Sequence, residues 1–192
     1  MKKLLAAAVL AATFVAPSTQ AAEMNVAVIK GVPTIYVGGD IVTGDADKFM
    51  RLTARFPAGK SAVVLNSPGG LIGEGINIGL MVREKRMVTV VFNECASMCG
   101  LIWLAGFPRY VSTEASIGFH AVRRGEEDKS VSSSGNALVG GYLMKLGFGW
   151  RAISYLTETN PDSMAWLNGA KAKELGIAAN VIDTSTTKTS RK

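Results

Sequence analysis

The chain is short of several things, and each shortage excludes something. Its 192 residues hold one histidine, His120, and two cysteines, Cys95 and Cys99. That set leaves almost no room for a structural zinc site, and no metal or cofactor is expected. Any mechanism that needs an imidazole must use His120. Aromatics make up only 7% of the residues, and no basic face interleaved with them would grip nucleic acid. Beyond the first residues no apolar run is long enough to span a bilayer; the best, 100–107, ends at Pro108. There is no internal repeat. Gly59-Lys60-Ser61 looks like the end of a phosphate-binding loop, but the motif's first glycine would fall on Ala54, and the stretch precedes a strand instead of following one.

What is present starts with an export signal. Met1-Lys2-Lys3 is charged, residues 4–16 are apolar, and residues 17–21 are small or polar. This pattern reads as a secretory signal peptide over residues 1–21, cleaved after Ala21, which implies a periplasmic or secreted protein; the alternative is an N-terminal anchor that is kept. Cleavage removes two lysines and no acid, so the formal charge of +6 falls to a mild +4. Residues 22–182 are expected to form one domain with a real core. The Ser/Thr/Lys-rich stretch 183–192 is expected to be disordered.

The hydrophobic pattern alternates between strands and helices. A weak strand at 25–29 and a strand at 33–37 are followed by an amphipathic helix over 46–56. A continuously apolar strand at 61–65 then leads to a helix over 71–85 and a strand at 87–92. Short strands are expected at 109–111 and 115–122, a mobile polar loop at 123–135, and helices at 137–146, 150–159 and 170–175. A last strand covers 177–182. This order predicts an α/β domain with a largely parallel sheet and right-handed crossovers. In such sheets functional loops gather at the carboxyl ends of the strands. Two loops qualify here, 66–70 and 93–99.

Ser97 lies between an apolar strand and an apolar helix, with a cysteine two residues away on each side. A sharp strand-to-helix turn aims a hydroxyl at a cleft and the first free N–H groups of the helix in the same direction. The plainer alternative makes Ser97 a helix cap. The Gly69-Gly70 pair offers backbone N–H groups from the neighbouring strand, or simply a loop needing positive φ. Cys95 and Cys99 form a disulfide that shapes the turn, two buried thiols, or a redox pair, although the spacing is not Cys-x-x-Cys. A serine nucleophile needs a base. His120 is available from a strand, where a histidine can also be purely structural, and a Ser–Lys pair is the other option.

Asn66-Ser67-Pro68-Gly69-Gly70, then Cys95-Ala96-Ser97-Met98, then Ile117-Gly118-Phe119-His120 together resemble the proteolytic subunit of the Clp protease and its exported relatives in the ClpP/crotonase superfamily. The resemblance runs from about residue 34 to 182. It implies a repeated β-β-α spiral fold with a largely parallel sheet, and hydrolysis of peptide bonds through an acyl-enzyme. Ser97 would be the nucleophile and His120 the base, with an oxyanion hole from the N–H groups of Gly69 or Gly70 and of Met98. The resemblance breaks at the third catalytic member, because the position of the family's aspartate falls on Met164. Asp162 through a shifted turn, Asn168, or a dyad without a third group are the alternatives, and Asp162 also suits a plain turn after Pro161. The implied partners are a peptide or unfolded protein substrate and further copies of the chain. The export signal removes the ATP-driven unfoldase from consideration. A non-catalytic peptide-binding protein and a crotonase-like acyl-CoA enzyme are the competing readings; export argues against the second, since CoA esters are cytoplasmic.

Overall fold

The computed structural model describes residues 21–125 and 127–184. The expected signal segment and the expected disordered tail lie almost wholly outside them. Strand β1 (Glu23–Ile29) and strand β2 (Val32–Gly38) form an antiparallel hairpin. Its two-residue loop, Lys30-Gly31, has positive φ at both positions (50° and 79°), the geometry that matches the natural twist of paired strands. Helix α1 (Asp45–Thr53) follows, three residues shorter at its C-terminal end than the apolar pattern predicts. Strand β3 (Ala62–Ser67), helix α2 (Ile72–Glu84), strand β4 (Val88–Ala96) and helix α3 (Met98–Ala105) complete the first half.

The second half adds strands β5 (Arg109–Ser112) and β6 (Ser116–Phe119), then helices α4 (Ser133–Lys145) and α5 (Trp150–Glu158). Strand β7 (Ala165–Leu167), helix α6 (Gly169–Glu174) and strand β8 (Asn180–Ile182) end the described chain. The sheet runs β1-β2-β3-β4-β5-β8, with β6 beside β4 and β7 beside β6. The β1–β2 and β6–β7 pairs are antiparallel and the other pairings are parallel. The architecture is the expected α/β class with a largely parallel sheet.

Three boundaries differ from the sequence reading in ways that matter. Strand β4 does not stop at residue 92: Glu94–Ala96 pair with β6 while Thr89–Val91 pair with β5. The stretch 93–96 is therefore strand, and only Ser97 is left as the turn. Where β5 and β6 diverge, buried Ser112 donates its hydroxyl to Phe92 O (2.9 Å), satisfying a carbonyl that would otherwise have lost its strand partner. Strand β6 ends at Phe119, so His120 lies just beyond a strand and not within one. Helix α4 begins four residues before the expected 137, because Ser132 caps it by accepting the Gly135 N–H (3.1 Å). The turn-rich composition of the preceding loop masks that start.

The core lies between the sheet and α1–α5, centred on Phe49, Ile78, Trp103, Leu143 and Leu156. All eight residues of α3 are buried. That explains why this helix shows no amphipathic pattern: it is apolar on every side because it packs on every side. Buried Tyr142 donates to Leu101 O (2.9 Å). Burial pushes its hydroxyl pKa up, so it stays a neutral donor and ties α4 to α3.

Candidate active site

Parallel pairing brings three strand ends to one place. β3 ends at Ser67, which registers with Cys95, and Ala96 registers with Gly118 of β6. The chain leaves each strand at the same edge of the sheet, so the glycine loop, Ser97 and His120 meet there.

Ser97 is held in a conformation that L-residues rarely adopt, with φ 54° and ψ −122°. Its N–H donates to Gly118 O (2.8 Å) and its carbonyl accepts from Leu101 N–H (3.3 Å). These bonds, with a register on each side, hold the strained residue in place. Its side chain makes no capping bond to α3, so the helix-cap reading fails and the hydroxyl is left for the cleft. A Cys95–Cys99 disulfide closes over the turn, with Cα atoms 5.2 Å apart and both residues fully buried. Of the three alternatives for these cysteines, the bonded one is present.

The glycine loop lies directly against this turn. Gly69 has φ 112° and Gly70 φ 142°, values open to glycine alone. A Cβ on Gly69 would lie 2.8 Å from Ser97 Cβ and 3.0 Å from Met98 N, and one on Gly70 would lie 2.1 Å from Ile41 O. The Gly69 N–H is already taken, donating to Ser67 Oγ (3.0 Å). Among the described residues the N–H groups of Gly70 and Met98 have no hydrogen-bond partner. Gly70 and Met98 line the same cleft as Ser97. Of the three candidate oxyanion donors, these two are unoccupied. Ser67, which engages the Gly69 N–H from two residues upstream, was not among the candidates; its spacing is that of a hydroxyl-to-backbone turn.

His120 is part-buried, and its Nδ1 lies 2.7 Å from Ala121 O. A carbonyl oxygen can only accept, so the proton of that bond sits on Nδ1 and the lone pair on Nε2. This is the tautomer that a general base needs, and backbone fixes it. No hydrogen bond joins Ser97 Oγ to the ring among the described residues; such contacts commonly tighten only when substrate is bound. The neighbouring Val122 N–H is held by Asn136 Oδ1 (2.7 Å) and the Ala121 N–H by Thr159 O (2.7 Å), so the carbonyl facing the imidazole belongs to a tethered segment.

The candidate third members are occupied elsewhere. Asp162 is exposed and pairs with Arg123 (3.4 Å) and Lys129 (3.9 Å). Asn168 caps α6, its Oδ1 accepting the Lys171 N–H (2.8 Å). Met164 lies over Gly118, where a Cβ would come within 2.6 Å of its sulfur. Sequence reasoning missed the Ala121 carbonyl because a backbone group leaves no signature in the residue types.

Gly70, Ser97, Met98 and His120 share a cleft of about 130 Å³. Its remaining walls are mainly apolar: Ile72, Leu101, Phe119, Val139 and Leu156, with Arg123 also contributing. A hydroxyl, an oriented imidazole, two free N–H groups and an apolar recess share this cleft, the set of groups that acyl transfer would require. Among the described residues no group of histidine, cysteine and acidic side chains could hold a metal ion, and no helix is long and apolar enough to cross a membrane.

The fold is that of an α/β protein with a largely parallel sheet. Among solved structures, the chain is similar to the ClpP protease catalytic domain from Plasmodium falciparum. The TM-score is 0.57 and the identity 21%, over 78% of this chain and 85% of that one. At that identity the likeness speaks for the fold. No family model matches the chain, and no curated protein matches it by sequence.

Proposed function

We propose that the chain is an exported serine peptidase that works without ATP. Ser97 Oγ attacks a peptide carbonyl while His120 Nε2 takes its proton. The N–H groups of Gly70 and Met98 receive the oxyanion, and the Ala121 carbonyl, in place of a carboxylate, holds the imidazole in its orientation. His120 then returns the proton to the leaving amine, and water resolves the acyl-enzyme by the same route. The apolar walls of the cleft favour an apolar residue beside the scissile bond. The observation that carries this reading is Ser97 itself: a strained, uncapped serine facing a cleft that also holds the only histidine. The disulfide and the N-terminal segment support an oxidising destination. Exposed apolar side chains on β1 (Val28) and around α4 and α5 (Leu138, Met144, Trp150) support self-association.

The test is labelling of the oxidised mature protein by a fluorophosphonate, read by intact mass. Wild type should carry one adduct, whereas Ser97→Ala and His120→Ala should carry none. Adduct on Ser97→Ala would refute the assignment. Among the described residues no side-chain carboxylate bonds His120, which favours one second reading, a peptide-binding protein that keeps the cleft without turnover. Stoichiometric peptide binding with no labelling would support it.

A further inference from the structure

Ala22 is the first residue expected after removal of the signal segment, and it is fully buried (0% exposed), whereas Ala21 is exposed. Its backbone nitrogen donates to Asp45 Oδ2 (3.2 Å), and its carbonyl accepts from Lys48 Nζ (2.8 Å). Asp45 opens α1 and is itself only 2% exposed, in the core around Met24, Ala46 and Phe49. The same Oδ2 also accepts the Val42 N–H (2.8 Å). From α2, Glu74 takes the N–H groups of Gly44 (3.1 Å) and Ala46 (2.8 Å) on either side of Asp45. Both acids therefore accept only backbone N–H groups here, while Lys48 donates to a carbonyl. Among the described residues Asp45 is in no ion pair. A carboxylate this deeply buried, held by amide N–H groups and a helix N-terminus, still lacks a compensating charge.

We propose that Asp45 is the binding site for the chain's own processed N-terminus. In the processing step water adds across the Ala21–Ala22 peptide bond. Its oxygen joins the Ala21 carbonyl carbon, which departs as a carboxylate, and the nitrogen stays on Ala22 and becomes an ammonium. That nitrogen already lies at Asp45 Oδ2, so the cut turns an N–H···O bond into a buried ion pair without moving the chain. The pair bears on the candidate active site through two residues. Val42 hangs from Asp45, and Ile41 next to it donates to Gly69 O (2.8 Å) and accepts from Leu71 N–H (2.8 Å). The backbone that seats the Gly69-Gly70 loop is thus anchored on the carboxylate that receives the new N-terminus. The inference rests on cleavage after Ala21 and is independent of whether Ser97 is a nucleophile.

The test begins with the intact mass of the exported protein, which should give Ala22 as its first residue; any other start overturns the proposal. Two oxidised chains, one starting at Ala22 and one at Ala21, are then compared by thermal unfolding, each with native Ser97 and with Ser97→Ala. Near pH 7 the Ala22 chain should melt roughly 10 °C higher, the scale expected for completing a buried ion pair in a chain of this size. An ammonium gaining a partner has its folded pKa raised. Its contribution is therefore full below the ordinary α-amino range and is lost as pH rises through the folded value. The gap should shrink steadily as pH rises above about 8, and it should vanish in Asp45→Asn. Equal midpoints at neutral pH, a gap insensitive to pH, or a gap that survives Asp45→Asn would each overturn the proposal. If Asp45→Asn does not fold, the pH series on the unaltered carboxylate decides by itself.

Discussion

Replacing Ser97 by glycine should leave a more stable protein than replacing it by alanine, although alanine is the smaller change. Both substitutions remove the hydroxyl, so the comparison isolates the backbone. At φ 54° and ψ −122° any residue with a Cβ carries a penalty of about 1–3 kcal/mol, and glycine carries almost none. Glycine gives back about 0.4–1 kcal/mol through the greater freedom of its unfolded chain. The balance favours Ser97→Gly by about 1 kcal/mol, or about 3 °C in Tm for a chain of this length. The assay is urea and thermal unfolding of the two oxidised variants side by side. If Ser97→Ala proves equal or more stable, the turn is not strained, and the claim that the fold holds this serine in a forced geometry fails.

Gly70→Ala should be severe. Its Cβ would lie 2.1 Å from Ile41 O at a φ of 142°, so a loss of more than about 2 kcal/mol is expected in urea unfolding; a change within experimental error would contradict the seating of this loop. Asp162→Ala should alter the fluorophosphonate labelling rate less than about twofold, because its partners are solvent-exposed cations whose pairing contributes little. A tenfold fall would return the carboxylate to the mechanism. Replacing Cys95 and Cys99 together by alanine should lower stability by about 2 kcal/mol, the loop-entropy value for so small a ring. It should also slow labelling, as the Ser97 turn is freed to relax; an unchanged labelling rate would show that strand register alone holds the serine.

Several features were legible because they are local or periodic. The apolar run of β3 announced a strand covered on both faces, and the run from 101 announced a buried helix. Ser97, the glycine pair and His120 stood out by residue type and order. Other features were not legible, for identifiable reasons. Strand β4 runs on through Asn93 and Glu94, poor strand formers, and from Glu94 onward it is held by pairing with β6. Strand β7 is three residues long and exists because it lies antiparallel to β6. The Ala121 carbonyl beside the imidazole could not be read at all, since a main-chain group leaves no mark in the residue types.

By itself the sequence determined the α/β alternation, the turn bearing the serine, and the few residue types available for chemistry. Those follow from side-chain polarity, periodicity and the steric limits of glycine, which act over a few residues. Tertiary structure alone decided which groups share the cleft. It left the Gly70 and Met98 N–H groups free while Ser67 occupied that of Gly69, sent Asp162 to surface cations, and buried Asp45 against Ala22. These outcomes depend on distances between segments far apart in the chain, and such distances are set by strand register and helix packing, not by local residue preferences.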